Sequence, residues 1–115
     1  MLLLSGMLLY SRCGKSGPKS MTPVNINTAT YAASVDINNF TFSPATVTIL
    51  AGGTVTWTNK DAVDHTATDL DGNFDSGHIN TNQTYKFIFT KAGTYTYHCS
   101  IHSMMPNAKV IVVNN

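Results

Sequence analysis

The sequence predicts an all-β domain, built as an antiparallel sandwich or a small barrel. Glu is absent from the chain, whereas Thr and Asn, which favour strands and turns over helices, are abundant. From Tyr31 onward, apolar residues alternate with polar ones, as they do in strands with one buried face. Gly, Pro, Asn and Asp separate these runs, and no segment has the periodicity of an amphipathic helix.

The strand runs follow one another along the chain. Their apolar positions are Val35, Ile37, Phe40 and Phe42; Val47 and Ile49; Val55 and Trp57; Tyr85, Phe87 and Phe89; Tyr95, Tyr97 and Cys99; and Val110 to Val113. Gly52-Gly53 predicts a turn after the second run, and His65 to Leu70 forms a further β-like run. We expect Trp57, Phe87, Phe89, Tyr95 and Tyr97 to lie in the core.

Size and charge exclude several classes of protein. The 115 residues (12.4 kDa) suffice for one domain, and 43% hydrophobic residues can supply its core. The 7 basic and 6 acidic side chains nearly balance, so the chain lacks the charge of a nucleic-acid-binding protein. We therefore expect no nucleic-acid partner.

The N-terminal segment predicts export from the cytoplasm. Residues 1–10 are apolar but too short to span a bilayer, which is typical of a signal peptide. Cys13 follows them like the lipidated cysteine of a bacterial lipoprotein, although no Lys or Arg precedes the apolar run and Arg12 stands where a small residue is usual. A simple cleaved secretory signal is the alternative. We predict a signal peptide over residues 1–13, a flexible Gly-, Ser- and Pro-rich linker over 14–30 and a folded domain over 31–115, in the periplasm or at the cell surface.

A cluster of metal-binding side chains follows the strand that ends near Cys99. Cys99, His102 and Met105 are spaced by three residues, and a tight loop can turn all three towards one point. Cys99 shares a strand face with Tyr95 and Tyr97, so it is expected to point inward. A buried structural thiol is the alternative for Cys99 alone.

A fourth ligand is expected from another part of the sheet, and His65 is the candidate. Two imidazoles, one thiolate and a weak axial thioether form the ligand set that suits copper cycling between Cu(I) and Cu(II). Structural zinc sites usually contain paired cysteines at short spacing, which this chain lacks. The sequence therefore predicts one redox-active copper held by His65, Cys99, His102 and Met105.

Several further segments resemble the small blue copper proteins, or cupredoxins, of the plastocyanin and amicyanin type. The resemblance runs from about Val35 to Val113 and includes Phe42-Ser43-Pro44, Gly53 to Asn59, Asp64-His65-Thr66, Phe74 to Gly77 and Ala92 to Cys99. It implies a Greek-key sandwich or barrel of about seven to eight strands, with the metal under loops at one end.

The same resemblance implies roles for individual residues. His65, Cys99 and His102 correspond to the equatorial copper ligands and Met105 to the axial ligand. Met104 remains an alternative axial ligand, and Pro106 replaces the glycine that usually follows. The two residues between His102 and Met105 resemble the short amicyanin loop.

The surroundings of the site predict further contacts. Thr66 is expected to hydrogen-bond the Cys99 sulfur or to connect the two ligand loops. Redox donor and acceptor proteins are expected to dock on the apolar rim around His102, whose members are Ile101, Met104, Pro44 and Pro106. His78 and His98 are expected at the surface, with His98 a weaker candidate for a second electron portal.

These expectations leave two functions open. The first is a monomeric electron carrier that passes single electrons between redox partners outside the cytoplasm. The second is a copper-handling protein (chaperone, store or resistance factor) with the same ligands. An enzyme is not expected, because a second copper cluster would need more histidines than His78 and His98.

Overall fold

The computed structural model describes residues 29–115, which form seven strands and no helix. The strands are β1 (Thr30–Ile37), β2 (Phe42–Ser43), β3 (Thr46–Asn59), β4 (Thr68–Asp69), β5 (Thr84–Phe89), β6 (Gly93–His98) and β7 (Ala108–Val113). The all-β prediction is confirmed. The predicted signal peptide over 1–13 and nearly all of the predicted linker over 14–30 lie outside the described residues.

The strands pair in the order β2-β1-β3-β7-β6-β4, and β5 pairs with β3. β3 pairs in parallel with β1 and with β7, so the expectation of an antiparallel arrangement is wrong for these two contacts. The other four pairings are antiparallel. Alternation of apolar residues has a period of two in either direction of pairing, and it therefore cannot reveal which neighbours run parallel.

The predicted turn at Gly52-Gly53 is instead a bend within β3, which continues from Thr46 to Asn59. Residues before the bend pair with β7 and residues after it pair with β5, whereas β1 pairs with both parts of β3 through a register shift after Thr30. Gly52 has a φ of +94°, and a Cβ on Gly53 would lie 2.9 Å from the Leu50 carbonyl oxygen. The two glycines thus allow one strand to take part in two pairing sets.

The core is centred on Trp57, which is fully buried. The rings of Phe74 and Tyr97 each lie 5.4 Å from the indole, and Phe89 lies 6.4 Å from it. Phe87 and Tyr95 pack against this core and are partly buried. Such aromatic packing makes a rigid base for the loops at the end of the sheet. No helix among residues 29–115 is long and apolar enough to cross a membrane.

Candidate metal centre

Cys99 directly follows β6 and is 1% exposed. The alternation along β6 places it on the same inward face as the buried Tyr97, as predicted. It is a free cysteine, so its sulfur is available as a ligand.

His65 is fully buried and lies in the long connection between β3 and β4. A two-residue bridge holds its backbone: the His65 N–H donates to the Ile79 carbonyl oxygen at 3.2 Å, and the Ile79 N–H donates back at 2.7 Å. The Nε2 atom of the ring lies 2.8 Å from Oδ2 of Asp61. Both the backbone and the far side of the ring are therefore fixed.

The loop after Cys99 is closed by a turn in which the Met105 N–H donates to the His102 carbonyl oxygen at 3.0 Å. His102 is partly exposed, whereas Met105 is 4% exposed and belongs to the buried cluster that contains Cys99. Met104 is 67% exposed. The two neighbouring methionines thus point to different environments.

Three predicted ligands converge on one point. The Cys99 sulfur lies 3.7 Å from Nδ1 of His65 and 3.5 Å from Nδ1 of His102, and the three ligand atoms lie within 4.8 Å of one another. Two atoms bonded to one ion at about 2.0 and 2.3 Å, in trigonal or tetrahedral geometry, lie about 3.5–3.7 Å apart. The donor set therefore fits one metal ion, and together with Met105 it forms a candidate copper site.

Thr66 connects the two loops that carry the ligands. Its backbone N–H donates to the Cys99 sulfur at 3.3 Å, and its hydroxyl accepts the Ser100 N–H at 2.8 Å. The hydroxyl also lies 3.0 Å from the Ser100 hydroxyl and 2.9 Å from that of Thr68. Sequence reasoning predicted the role of Thr66 but not that of Ser100.

Asp61 and Phe40 are two further residues at the site that the sequence analysis missed. The Asp61 carboxylate contacts His65, and the Phe40 ring lies edge-on against both His65 and His102, at 5.1 Å from each. Burial raises the pKa of Asp61, but hydrogen bonds from the Phe40 and Asn39 N–H groups and from His65 outweigh it and hold the pKa below its usual range. Nothing in the sequence distinguished Asp61 from Asp64, which lies directly beside His65.

The remaining histidines lie outside the cluster, as expected. His78 is 60% exposed at its side chain and forms an exposed pair with Asp64, at 3.2 Å. His98 precedes Cys99 and is partly exposed on the other face of β6. Among residues 29–115, one group of three or more metal-ligating His, Cys or Asp side chains is present, and it consists of His65, Cys99 and His102.

A family model described as the cupredoxin-like domain matches residues 2–112. The chain belongs to this family. Amicyanin from Paracoccus denitrificans is 34% identical over 83 residues, which cover 68% of this chain and 63% of that protein. Amicyanin-alpha from Methylorubrum extorquens is 35% identical over 83 residues, or 68% of this chain and 69% of that protein. The match with the Paracoccus protein spans less than two thirds of that protein's length. The resemblance to cupredoxins that the sequence analysis stated is confirmed.

Solved structures show the same relationship. A purple cupredoxin from Nitrosopumilus maritimus matches with a TM-score of 0.64 and 33% identity, over 70% of this chain and 99% of that one. The Cu(I) form of an amicyanin variant matches with a TM-score of 0.66 and 31% identity, over 71% of this chain and 82% of that one. The cupredoxin-like fold expected from the sequence is therefore confirmed.

Proposed function

We propose that this protein is a type 1 copper electron carrier that works outside the cytoplasm. The observation that carries the proposal is the convergence of the Cys99 sulfur with Nδ1 of His65 and of His102, in a site that is buried on the side of Cys99 and His65. Copper bound there would supply a Cu(I)/Cu(II) couple for one-electron transfer.

The protein around the site favours electron transfer because hydrogen bonds within the protein hold the ligand side chains in place, independently of the metal. The His65 ring is held by Asp61, and the Cys99 sulfur accepts the Thr66 N–H. Ligands fixed in this way cannot relax far towards the geometry preferred by either oxidation state. A small rearrangement between the two states permits fast electron transfer.

We propose Met105 as the axial ligand. Met105 is 4% exposed and packs in the cluster that contains Cys99, whereas Met104 is 67% exposed. Burial of a thioether beside a thiolate and two imidazoles supports a weak axial contact. Met104 is better placed to contact a partner.

Redox donor and acceptor proteins are proposed to dock around His102. Ile101 and Met104 are 41% and 67% exposed, and Pro44 and Pro106 are exposed as well. Removal of residues 1–13 would remove Arg12 and leave 6 basic against 6 acidic side chains. Because these charges balance, docking should depend only modestly on salt concentration. Docking over a small contact area should also be brief. The carrier is proposed to act as a monomer and to catalyse no reaction.

The proposed location rests on the N-terminal sequence. The apolar residues 1–10 support export, and Cys13 supports attachment to a membrane through lipid. Mass spectrometry of the membrane fraction tests the anchor. A mature N-terminus at Cys13 that carries lipid supports it, whereas a mature N-terminus after residue 13 contradicts it.

Electron carriage and copper handling are separated by one pair of measurements on the copper-loaded protein. A carrier should give a reversible one-electron wave in voltammetry and retain its copper in both oxidation states against a modest chelator. Loss of copper to that chelator, without reversible electron transfer, would instead favour copper handling. Cys99→Ser, which removes the thiolate but keeps the size of the side chain, is the matched control.

A further inference from the structure

We propose that Asp61 is a positioning residue that fixes His65 and Phe40 in one arrangement before any metal binds. Its carboxylate and the three groups that it contacts, the N–H groups of Asn39 and Phe40 and the ring of His65, are called the Asp61 clamp below. The effect of the clamp on the ring is independent of metal, whereas its effect on copper binding rests on the proposed function.

The clamp holds a turn of unusual conformation. Oδ1 of Asp61 accepts the Asn39 N–H at 2.7 Å, and Oδ2 accepts the Phe40 N–H at 2.9 Å. Asn39 and Phe40 have φ values of +54° and +57°, in the left-handed region that bulky residues such as Phe rarely occupy. Consecutive N–H groups aimed at one carboxylate form an anion-binding concavity. Asp61 therefore stabilises a conformation that the chain would otherwise disfavour.

The clamp also selects the form of the His65 ring. An ionised carboxylate can only accept hydrogen bonds, so Nε2 of His65 must carry the proton where it lies 2.8 Å from Oδ2. In the neutral ring, Nδ1 then has a free lone pair, and it is Nδ1 that lies 3.7 Å from the Cys99 sulfur. Such a carboxylate–histidine contact fixes the ring and increases its basicity as a ligand.

Phe40 extends the effect of Asp61 to the second imidazole. Its ring lies 5.1 Å from the rings of His65 and His102, at interplanar angles of 87° and 85°. The two imidazoles lie 4.8 Å apart. One carboxylate therefore holds His65 directly and His102 through the ring that packs against both.

Asp61 is itself held in place by the buried Asn59. The Asp61 N–H donates to Oδ1 of Asn59 at 2.9 Å, and Nδ2 of Asn59 donates to the Val63 and Ile79 carbonyl oxygens at 2.8 Å each. The Thr81 hydroxyl donates to the Asp61 carbonyl oxygen at 2.7 Å. The clamp is thus anchored to the same segment that pairs with the His65 backbone.

Asp64 offers a matched control. It neighbours His65 in sequence, but its side chain is 45% exposed and contacts the exposed His78. Asp61→Asn and Asp64→Asn each remove one negative charge close to His65 in the chain. Only the first of the two alters the clamp.

The test is NMR of the copper-free protein at about pH 8, above the ordinary pKa of an imidazole. In the unmodified protein and in Asp64→Asn, long-range ¹H–¹⁵N correlations should show His65 with its proton on Nε2, and the Asn39 and Phe40 amide protons should resonate downfield. In Asp61→Asn, the side-chain NH2 group can accept no hydrogen bond, so one of the two oxygen acceptors is lost. We therefore expect the amide signal of Asn39 or Phe40 to move upfield and a second form of the His65 ring, with the proton on Nδ1, to appear. Unchanged His65 and amide signals in Asp61→Asn would overturn the proposal.

Copper titration then tests the consequence for the site. Competition with a chelator should show Cu(II) affinity about 10–100-fold lower in Asp61→Asn and close to the original in Asp64→Asn. Equal losses in the two variants would show that charge alone acts, and would overturn the positioning role. A normal NMR result with no copper bound by the unmodified protein would refute the proposed function but not the fixed ring.

Phe40→Leu keeps the test decisive if Asp61→Asn does not fold. This variant retains the carboxylate, so His65 should keep its proton on Nε2. The His102 ring signals should shift and broaden because their edge-on neighbour is gone. Unchanged His102 signals would contradict the role given to Phe40.

Discussion

The Thr66 hydroxyl connects the loop that carries His65 to the loop that carries Cys99, and its removal should destabilise the copper-free protein. Thr66 is 2% exposed, and its Oγ1 takes part in hydrogen bonds with the Ser100 N–H, the Ser100 hydroxyl and the Thr68 hydroxyl. Thr66→Val keeps the shape of the side chain and the backbone N–H that donates to the Cys99 sulfur. The substitution therefore isolates the contribution of the hydroxyl.

The magnitude follows from these three contacts. A hydrogen bond contributes about 0.5–1.5 kcal/mol net, and a partly buried N–H left without a partner costs about 1–3 kcal/mol. The Ser100 side chain can turn to solvent, because Ser100 is exposed, and the Thr68 hydroxyl keeps its bond to Asp75. The Ser100 N–H thus dominates, and we expect Thr66→Val to lower the free energy of unfolding by about 1.5–3 kcal/mol.

Urea denaturation of the copper-free protein under reducing conditions measures this change. With a denaturant dependence of about 1 kcal/mol per M, typical of a small domain, the midpoint should fall by about 1.5–3 M. Thr56→Val is the matched control, because Thr56 is half-buried in β3 and makes no side-chain hydrogen bond among the described residues. Its effect should stay within about 0.5 kcal/mol.

The comparison between the two variants can refute the reasoning. A loss of stability in Thr66→Val no larger than in Thr56→Val would mean that the hydroxyl does not connect the ligand loops. A change in the slope of the transition, instead of its midpoint, would mean that the substitution alters the compactness of the denatured state or breaks two-state behaviour.

Three further predictions follow. Burial raises the pKa of Tyr97 to about 12, and the contact with Trp57 offsets only part of this increase. In the unfolded chain the phenol titrates at about pH 10. The free energy of unfolding should therefore be unaffected by this group below about pH 10 and should fall by up to about 2–3 kcal/mol as the pH approaches 12. Urea melts between pH 9 and 12 should show a smaller fall for Tyr97→Phe than for the exposed Tyr31→Phe, and equal falls would contradict the burial argument. In the copper-loaded protein, Met105→Ala should change the reduction potential measured by voltammetry, whereas Met104→Ala should leave it near the original; the reverse pattern would make Met104 the axial ligand. Gly53→Ala should lower the thermal midpoint, because its Cβ would lie 2.9 Å from the Leu50 carbonyl oxygen; an unchanged midpoint would show that β3 adjusts freely at its bend.

Local patterns predicted most of the strands and the three side chains that converge, but they divided β3 into two runs and placed Phe40 in a strand, whereas it lies in a turn. The alternation from Val35 to Ile37 and from Tyr95 to Cys99 predicted which side of each strand faces the core. Val35, Ile37, Tyr97 and Cys99 are buried as expected, whereas Tyr95 is only partly buried. The three-residue spacing of Cys99, His102 and Met105 predicted a tight loop, and the Met105 N–H closes that loop on the His102 carbonyl oxygen.

Strand direction and long-range contacts could not be predicted in the same way. The parallel pairing of β3 with β1 and β7 depends on how the chain crosses over, which alternation does not record. Gly52-Gly53 is compatible with either a turn or a bend, and the pairing of both halves of β3 decides between them. Phe40 and Asp61 are 21 positions apart in sequence, so their contact depends on the fold as a whole.

The central claim is that the Cys99 thiolate and the two imidazoles bind a redox-active copper. The most direct test is the visible absorption spectrum of the purified protein after addition of one equivalent of Cu(II). We expect an intense band from charge transfer between the thiolate and Cu(II), which disappears with ascorbate and is absent in Cys99→Ser. A weakly coloured product that still contains copper, or an intense band that survives in Cys99→Ser, would contradict the assignment.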